Sequence, residues 1–339
     1  MNSNNKMNHF IEQQFSLLPQ LLEREIEIPN LEDIPNIIIF VGSGSSLNAA
    51  RISEPYFRAA GNKNIFFMSP SQYLPQMDKL ERHFLVAISQ TGTSIATITS
   101  IERAAQAENP TILISATRNL EKREKASAFI DLYCEDEKIG PKTVGFTATL
   151  VRLIQLAEVL YQSSGRPCNF VNELRENIRL LPVVKANTEQ WIETHQDWAK
   201  APYLTITSDE SFKAVIDEGA LKLLETLMVP VTSYEIGEFT HGPHRLIHKG
   251  SFHIYFGLDN TEKLSKKVAE YTRKVQGKVL YLGFNHSDIN LNVVQKSCGA
   301  EIVVSLVFQV LANELALLGG FNPDDKVHSN FFSYIGTKN

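Results

Sequence analysis

Val41-Gly-Ser-Gly-Ser-Ser-Leu-Asn48 follows a strongly apolar run, Asn36-Ile-Ile-Ile-Phe-Val41, and precedes a helical pattern from Leu47 to Ala60. A strand, a turn of small residues and a helix N-terminus make an anion cradle. Unpaired backbone N–H groups and the helix dipole point at whatever sits there. Glycine permits close approach, and serine hydroxyls add donors. A second stretch has the same design: the apolar run Phe84–Ile88, the turn Ser89-Gln-Thr-Gly-Thr-Ser94, and a helical pattern from Ile95 to Ala107. One such junction alone reads as an ordinary N-capped helix, because Ser, Thr and Gly are common caps. Two of near-identical make-up on one parallel sheet point to a shared phosphate. Neither fits a nucleotide fingerprint. No Gly-x-x-x-x-Gly-Lys-Ser/Thr is present, and Gly42-x-Gly44-x-x-Leu47 lacks the third glycine. A hydroxyl-rich cradle suits a sugar phosphate better than a pyrophosphate.

Working outward, short apolar runs alternate with helical patterns. Strands are expected at 36–41, 64–68, 84–88, 111–115 and 129–133, and helices at 46–60, 94–107 and 143–163, after an N-terminal helix over 9–26 that Pro19 can kink. Continuous apolar strands of this length belong to a sheet covered on both faces, and the alternation predicts a doubly wound α/β domain. Turn chemistry at 163–167 and a polar helical stretch over 170–199 lead to a second half that repeats the plan. It has strands at 203–206, 231–234, 252–256 and 279–282, helices at 211–228 and 262–276, and a strand plus terminal helix within 302–319.

The chain has 339 residues, room for two domains, and a net charge of −5, which argues against a nucleic-acid partner. Three widely spaced cysteines, Cys134, Cys168 and Cys298, fit a reducing cytoplasm and offer no zinc spacing. The polar start, Met1-Asn-Ser-Asn-Asn-Lys6, reads as frayed and lacks an apolar signal region. No run reaches the ~20 apolar residues of a membrane span, so no membrane partner is expected.

Glu218, Lys222 and Glu225 fall at i, i+4 and i+7, on one face of the 211–228 helix; Val215, Leu223, Leu224 and Leu227 form an apolar face. By itself such a stripe reads as a solvated salt-bridging surface. The following segment changes its weight: Glu235-Ile-Gly-Glu238-Phe-Thr-His241-Gly-Pro243 is turn-rich, acidic, and carries a histidine, the natural proton carrier near neutral pH. His241, His244 and His248 cluster, but Gly242 and Pro243 break the helical face that a metal pair needs, so no metal is expected. A carboxylate base, a histidine acid/base and a phosphate cradle suit proton transfer next to the carbonyl of a phosphorylated sugar.

With these residues in place, the chain resembles the SIS (sugar isomerase) family, as a protein with two SIS domains. The resemblance covers roughly residues 30–325. It rests on Gly42-Ser-Gly-Ser-Ser-Leu-Asn-Ala-Ala50, Ser89-Gln-Thr-Gly-Thr-Ser94, Gly140-Pro-Lys-Thr-Val-Gly-Phe-Thr147, Glu218-Gly-Ala-Leu-Lys-Leu-Leu-Glu225 and Gly237-Glu-Phe-Thr-His-Gly-Pro243. The chain is similar to the isomerase half of glutamine–fructose-6-phosphate aminotransferase, and more so to bacterial fructosamine-6-phosphate deglycases. The resemblance implies two flavodoxin-like parallel sheets flanked by helices, with an N-terminal helical segment at 1–29, SIS domains at 30–165 and 200–339, and a helical linker at 166–199. It implies that Ser46 contacts the sugar, that Ser89, Gln90, Thr91 and Ser94 hold the phosphate, that Glu225 shuttles the proton, and that His241 opens the ring. No cofactor is implied. In the aminotransferase the histidine comes from the neighbouring subunit, so a homodimer or higher homo-oligomer is implied.

Departures separate the branches. There is no room for a glutaminase domain and no cysteine near the start. The aminotransferase tail carries an imine-forming lysine at an offset from a proline that here, in Asn322-Pro-Asp-Asp-Lys-Val-His328, gives His328; Lys326 lies two residues early. A deglycase needs no enzyme imine, because its C1-amino ketose tautomerises to a C1 imine that water hydrolyses. The expected function is therefore cleavage of 6-phosphofructosyl-amines to glucose 6-phosphate and a free amine or amino acid. The alternatives are an aldose–ketose isomerase or a glucosamine-6-phosphate deaminase or aminotransferase-type enzyme, and, from another class, a sugar-phosphate-binding protein without turnover.

Overall fold

The computed structural model describes residues 5–26, 28, 34–59, 61, 63–163, 165, 168–257, 259–283, 287–293, 297–328 and 330–337. Expectations at residues 1–4 and at Ala60, Ser164, Arg166 and Pro167 lie outside them. The chain packs into two compact units. One comprises Ser16–Lys138, Val144–Asn172 and Lys326–Asn339; the other comprises Met1–Phe15, Ile139–Thr143 and Glu173–Asp325. They are termed the first and second sheet units. Helix α1, Lys6–Leu22, contributes residues to each and carries Pro19 without ending there.

The first unit is a five-stranded parallel sheet of β1 (Ile37–Val41), β2 (Asn64–Met68), β3 (Phe84–Ile88), β4 (Thr111–Ser115) and β5 (Ala128–Asp131), in the order β2-β1-β3-β4-β5. Every residue of β3 and β4 is buried, as the apolar run of β3 and the apolar centre of β4 require. Helix α2 (Ser45–Ile52) follows β1, α3 (Ile95–Gln106) follows β3, and α4 (Val144–Ser163) follows β5. The helix expected over 46–60 is two helices. The first ends at Ser53, whose hydroxyl donates to the Ala50 carbonyl at 2.7 Å, and Glu54–Ala59 begins afresh. Pro55 has no N–H to give the earlier helix, and it sits in the first turn of the new one, where none is needed.

The second unit repeats the topology. Its strands β6 (Leu204–Ser208), β7 (Val231–Glu235), β8 (Phe252–Phe256), β9 (Lys278–Gly283) and β10 (Ile289–Asn290) are parallel, in the order β7-β6-β8-β9-β10. Read from that edge, the order is the same as in the first unit, the flavodoxin-like arrangement. Helix α5 (Lys213–Leu227) joins β6 to β7, α6 (Asp259–Lys274) joins β8 to β9, and α7 (Ala300–Leu318) follows β10. The 170–199 stretch holds two helices, Phe170–Ile178 and Leu181–Thr194, divided ahead of Pro182.

Two expectations are corrected here. No strand lies within 302–319: Ala300–Leu318 is helical throughout. Its side chains from Ala300 to Ala316 are nearly all buried, so the apolar pattern loses its helical period and imitates a strand. The fifth strand is instead the two-residue β10, which no hydrophobic run announces. Leu224 is not on the apolar face of α5. It is 45% exposed, whereas Val215, Leu223 and Leu227 are buried.

Helices α4 and α7 are also long and apolar enough to cross a bilayer, by length and composition alone. In each, 83% of the apolar window is buried inside the protein. They are core helices of this fold.

Candidate functional site

Each unit carries one set of candidate groups. In the first unit, the chain leaves β1 through Gly42, Ser43 and Gly44. Gly44 has φ 55° and ψ −131°, a backbone region reserved for glycine. A Cβ on Gly42 would stand 3.2 Å from the Ser46 Cβ, so glycine lets the turn close against α2. The Leu47 and Asn48 amides donate to the Gly44 carbonyl, each at 3.0 Å. The Ser43, Gly44 and Ser45 amides have no partner among the described residues, and the half-exposed Ser46 hydroxyl is likewise uncommitted.

Ser89–Ser94 occupies the neighbouring junction, since β3 pairs directly with β1. The Ser89 amide extends the ladder to the Ile114 carbonyl at 3.1 Å, and the Gly92 amide closes a turn on the Ser89 carbonyl at 2.9 Å. Gly92 has φ +67°, and its Cβ would meet the Thr117 Cβ at 2.8 Å, so conformation and space both demand glycine. The Ala116 amide donates to the Gln90 carbonyl at 2.8 Å and ties the loop to the end of β4. The Thr91 and Thr93 hydroxyls pair at 2.7 Å, and those of Ser94 and Thr97 at 2.9 Å. Each pair holds one proton available to an incoming acceptor. The Gln90 and Thr91 amides have no partner among the described residues. Ser46, Ser89, Gln90, Thr91 and Ser94 thus lie on two adjacent junctions at the same end of one sheet.

Two residues of this loop's surroundings escaped the sequence reading. Lys122 Nζ donates to the Gly92 carbonyl at 2.8 Å and brings a cation to the loop. Glu137, fully buried, accepts from Gln90 Nε2 at 2.7 Å and from the Val144 and Gly145 amides at 3.0 and 3.2 Å. Neither had a local signal: both arrive from segments distant in the chain. A cavity of about 450 Å³ opens on the far flank of the loop, bounded by Gln90, Thr91, Thr117, Arg118, Tyr133 and Asp136.

In the second unit, α5 presents Glu218, Lys222 and Glu225. The solvated-stripe reading of this helix fails. Lys222 and Glu218 are 1% and 2% exposed, and Glu225 keeps a side-chain exposure of 32%. Lys222 Nζ lies 2.6 Å from Glu225 Oε2 and 3.5 Å from Glu218 Oε1. A buried ammonium between two carboxylates is a costly arrangement to assemble, and removing the ammonium leaves two carboxylates repelling each other. Helix α7 packs closely enough that a Cβ on Gly219 would stand 2.6 Å from the Phe308 ring, which explains the glycine inside α5.

His241 sits just beyond the short helix Ile236–Phe239, which Glu235 caps by accepting the Glu238 amide at 2.9 Å. Its amide donates to the Glu238 carbonyl at 3.0 Å, and Gly242 follows at φ +137°. The imidazole is exposed and has no hydrogen bond among the described residues. His244 and His248 turn to other partners: His244 Nδ1 accepts the Gly242 amide at 3.3 Å, and His248 Nε2 meets the Tyr203 hydroxyl at 2.7 Å. Among the described residues, no group of three His, Cys, Asp or Glu is placed to hold a metal. Lys326 and His328 are exposed in the tail.

No protein-family model matches the chain. Among curated proteins, it is 24% identical over 324 residues to the glutamine–fructose-6-phosphate aminotransferase (isomerizing) of Halobacterium salinarum, a match that covers 90% of this chain and 52% of that protein. The chain therefore spans about half the length of the relative it matches. Among solved structures, the C-terminal domain of the glucosamine-fructose-6-phosphate aminotransferase of Francisella tularensis superposes with a TM-score of 0.81 at 18% identity, covering 96% of this chain and 99% of that one. The glucosamine-6-phosphate deaminase of Thermotoga maritima gives a TM-score of 0.80 at 22% identity, covering 96% and 98%. Two five-stranded parallel sheets of one topology, with these likenesses along nearly the whole length, give the chain the two-sheet α/β fold of the phosphosugar isomerase (SIS) structures.

Proposed function

We propose that this protein is a phosphosugar-processing enzyme, a deglycase that cleaves 6-phosphofructosyl-amines to glucose 6-phosphate and a free amine or amino acid. The observation that carries this reading is Glu225. One carboxylate oxygen is fixed at 2.6 Å on the buried Lys222 ammonium, while Oε1 has no hydrogen bond among the described residues and a third of the side chain is open. That is the arrangement of a positioned base: one oxygen oriented, the other available for a proton.

In this reading Glu225 takes a proton from C1 of the open-chain aminoketose, forming the enaminol. Returning the proton to C2 places the double bond between C1 and nitrogen. Water adds to that imine, the C–N bond breaks, and the amine leaves with a proton. His241 exchanges the proton that ring opening requires. The amides and hydroxyls of Ser46 and Ser89–Ser94 bind the 6-phosphate and supply binding energy remote from the reacting carbons. We further propose a homodimer in which His241 serves the partner's site, with a sugar phosphate as the only small-molecule partner.

The test is product analysis. Purified protein is incubated with a 6-phosphofructosyl amino acid, and glucose 6-phosphate is read with a coupled dehydrogenase. Release that disappears in Glu225→Gln supports the deglycase; no release with any aminoacyl group sinks it. The likeness to the Thermotoga protein favours a second reading, deamination of glucosamine 6-phosphate, in which ammonia and fructose 6-phosphate would appear instead.

A further inference from the structure

The Gln90 side chain is engaged by a carboxylate rather than by another hydroxyl of the loop. Its Nε2 donates to Glu137 Oε2 at 2.7 Å. The same carboxylate accepts the Val144 amide on Oε1 and the Gly145 amide on Oε2, so it caps the first turn of the 20-residue helix α4. Gln90's carbonyl accepts the Ala116 amide at 2.8 Å and the Ser115 hydroxyl at 3.3 Å. Gln90 is therefore held from two directions, by the end of β4 through its backbone and by α4 through Glu137. The fit is tight: a Cβ built on Gly145 would stand 1.4 Å from Gln90 Nε2 and 2.1 Å from its Cδ. Gly145 is inside the first turn of a helix, where alanine is ordinarily the better residue. Glycine is there because the Gln90 amide occupies that space.

We propose that Glu137, together with Gly145, is a positioning element for phosphate binding: it fixes Gln90, and through Gln90 the conformation of the Ser89–Ser94 loop. The inference rests on the assignment of that loop as the phosphate site. The Glu137 carboxylate satisfies the N-terminus of α4 itself, so the helix dipole is spent on an internal anion. The phosphate is left to the loop's own amides, which must therefore be aimed by the Gln90–Glu137 clamp. Charge-assisted hydrogen bonds to a buried carboxylate are short and directional, which suits a part that sets geometry.

The experiment uses the intact protein and a defined probe, glucose 6-phosphate, with glucose as the comparison, both titrated by calorimetry. Gly145→Ala should weaken glucose 6-phosphate binding by about 10- to 100-fold, the range of a charged hydrogen bond lost or misaligned. Its melting temperature should fall by only a few degrees, because alanine's helix preference partly offsets the lost hydrogen bond to Glu137. Gln90→Ala should weaken binding comparably, and adding Gly145→Ala to Gln90→Ala should change nothing further, since the obstructed side chain is gone. Glu137→Asp, which keeps the charge but shortens the reach, should fall between Glu137→Ala and the natural protein. Additive effects of Gly145→Ala and Gln90→Ala would overturn the proposal. So would unchanged affinity in Gly145→Ala when Thr91→Ala is weakened, and there the phosphate assignment survives. If glucose 6-phosphate binds no better than glucose, the proposal falls together with the loop assignment.

Discussion

The two sheet units share one strand order but use the junction after their equivalent strands in opposite ways. In the first, β1 leads into Gly42-Ser-Gly-Ser-Ser46, a turn of open amides and hydroxyls without a charge. In the second, β6 leads into Asp209-Glu-Ser211, where the buried Asp209 carboxylate accepts the Ser211 hydroxyl. An anion is attracted to the first junction and repelled from the second. The helices reverse the contrast. Helix α2 is eight residues long and carries Arg51 as its one charge, whereas α5 buries an ammonium between two carboxylates. One topology thus supplies a neutral cradle in one copy and a charged cluster in the other. The fold fixes where loops and helices fall, and the local residues decide whether a position binds or reacts.

The comparison breaks most sharply at Glu225. If the charged copy does the chemistry, Glu225→Gln lowers kcat by about 10²- to 10⁴-fold, the usual weight of a general base. Affinity for the phosphosugar should stay within about tenfold, because the cradle is untouched. Equal loss of binding and folding, seen in calorimetry and thermal melts, would make Glu225 a structural member of α5. Lys222→Met comes next. It leaves the buried Glu218 without its counter-ion, so stability should fall by about 3–5 kcal/mol in denaturant unfolding. Glu218→Gln with Lys222→Met together should cost less than Lys222→Met alone.

Acid should also distinguish the copies. His253 on β8 is fully buried, and its Nε2 meets the Ser251 hydroxyl at 2.8 Å. Burial pushes its pKa down from 6.5 to about 4, against a smaller upward pull from the Leu246 backbone and with a still smaller downward push from the nearby His248. The unfolded chain then binds the proton first. Stability from this group is full above pH 6.5 and is lost as pH falls toward about 4, by an amount on the order of 3 kcal/mol. His83 in the first unit is also buried, and burial lowers its pKa as well; its Nδ1 donates to the Glu81 carbonyl and its Nε2 accepts the Tyr73 hydroxyl, each at 2.8 Å. His253→Phe should flatten the decline in unfolding free energy between pH 6.5 and 4. An unaltered slope would move the acid-labile step elsewhere.

How far the chain could be read ahead of its structure follows from where each signal resides. Strands such as Phe84–Ile88 were legible because burial on both faces requires an unbroken apolar run, and the cradle because Gly92 and Gly44 mark backbone turns that other residues resist. Ile289–Asn290 was not legible: two residues give no period, and neighbouring β9 holds them in place. Helix α7 misled for the opposite reason, being apolar on every side. At the site, the spacing of Glu218, Lys222 and Glu225 identified a shared face but not its burial, which depends on helices brought from elsewhere in the chain. Glu137 was invisible for the same reason, since Gln90 lies 47 residues away.

The smallest expected effect tests the neutral side of the comparison. Thr91→Ala removes one hydroxyl from the pair with Thr93 and leaves the loop backbone and its glycine turn intact. If hydroxyls and amides bind the phosphate, this variant should weaken glucose 6-phosphate by about tenfold, the low end for a hydrogen bond to a charged group, and leave glucose unaffected. Asp209→Asn, at the equivalent place in the second unit, should not change phosphosugar affinity, although it weakens the turn that Ser211 stabilises. The pair of variants separates the two copies in one titration. Loss at Thr91 alone assigns phosphate to the uncharged junction. Loss at both would mean that the acid-bearing junction also senses the ligand, and the division between a binding copy and a reacting copy would have to be abandoned.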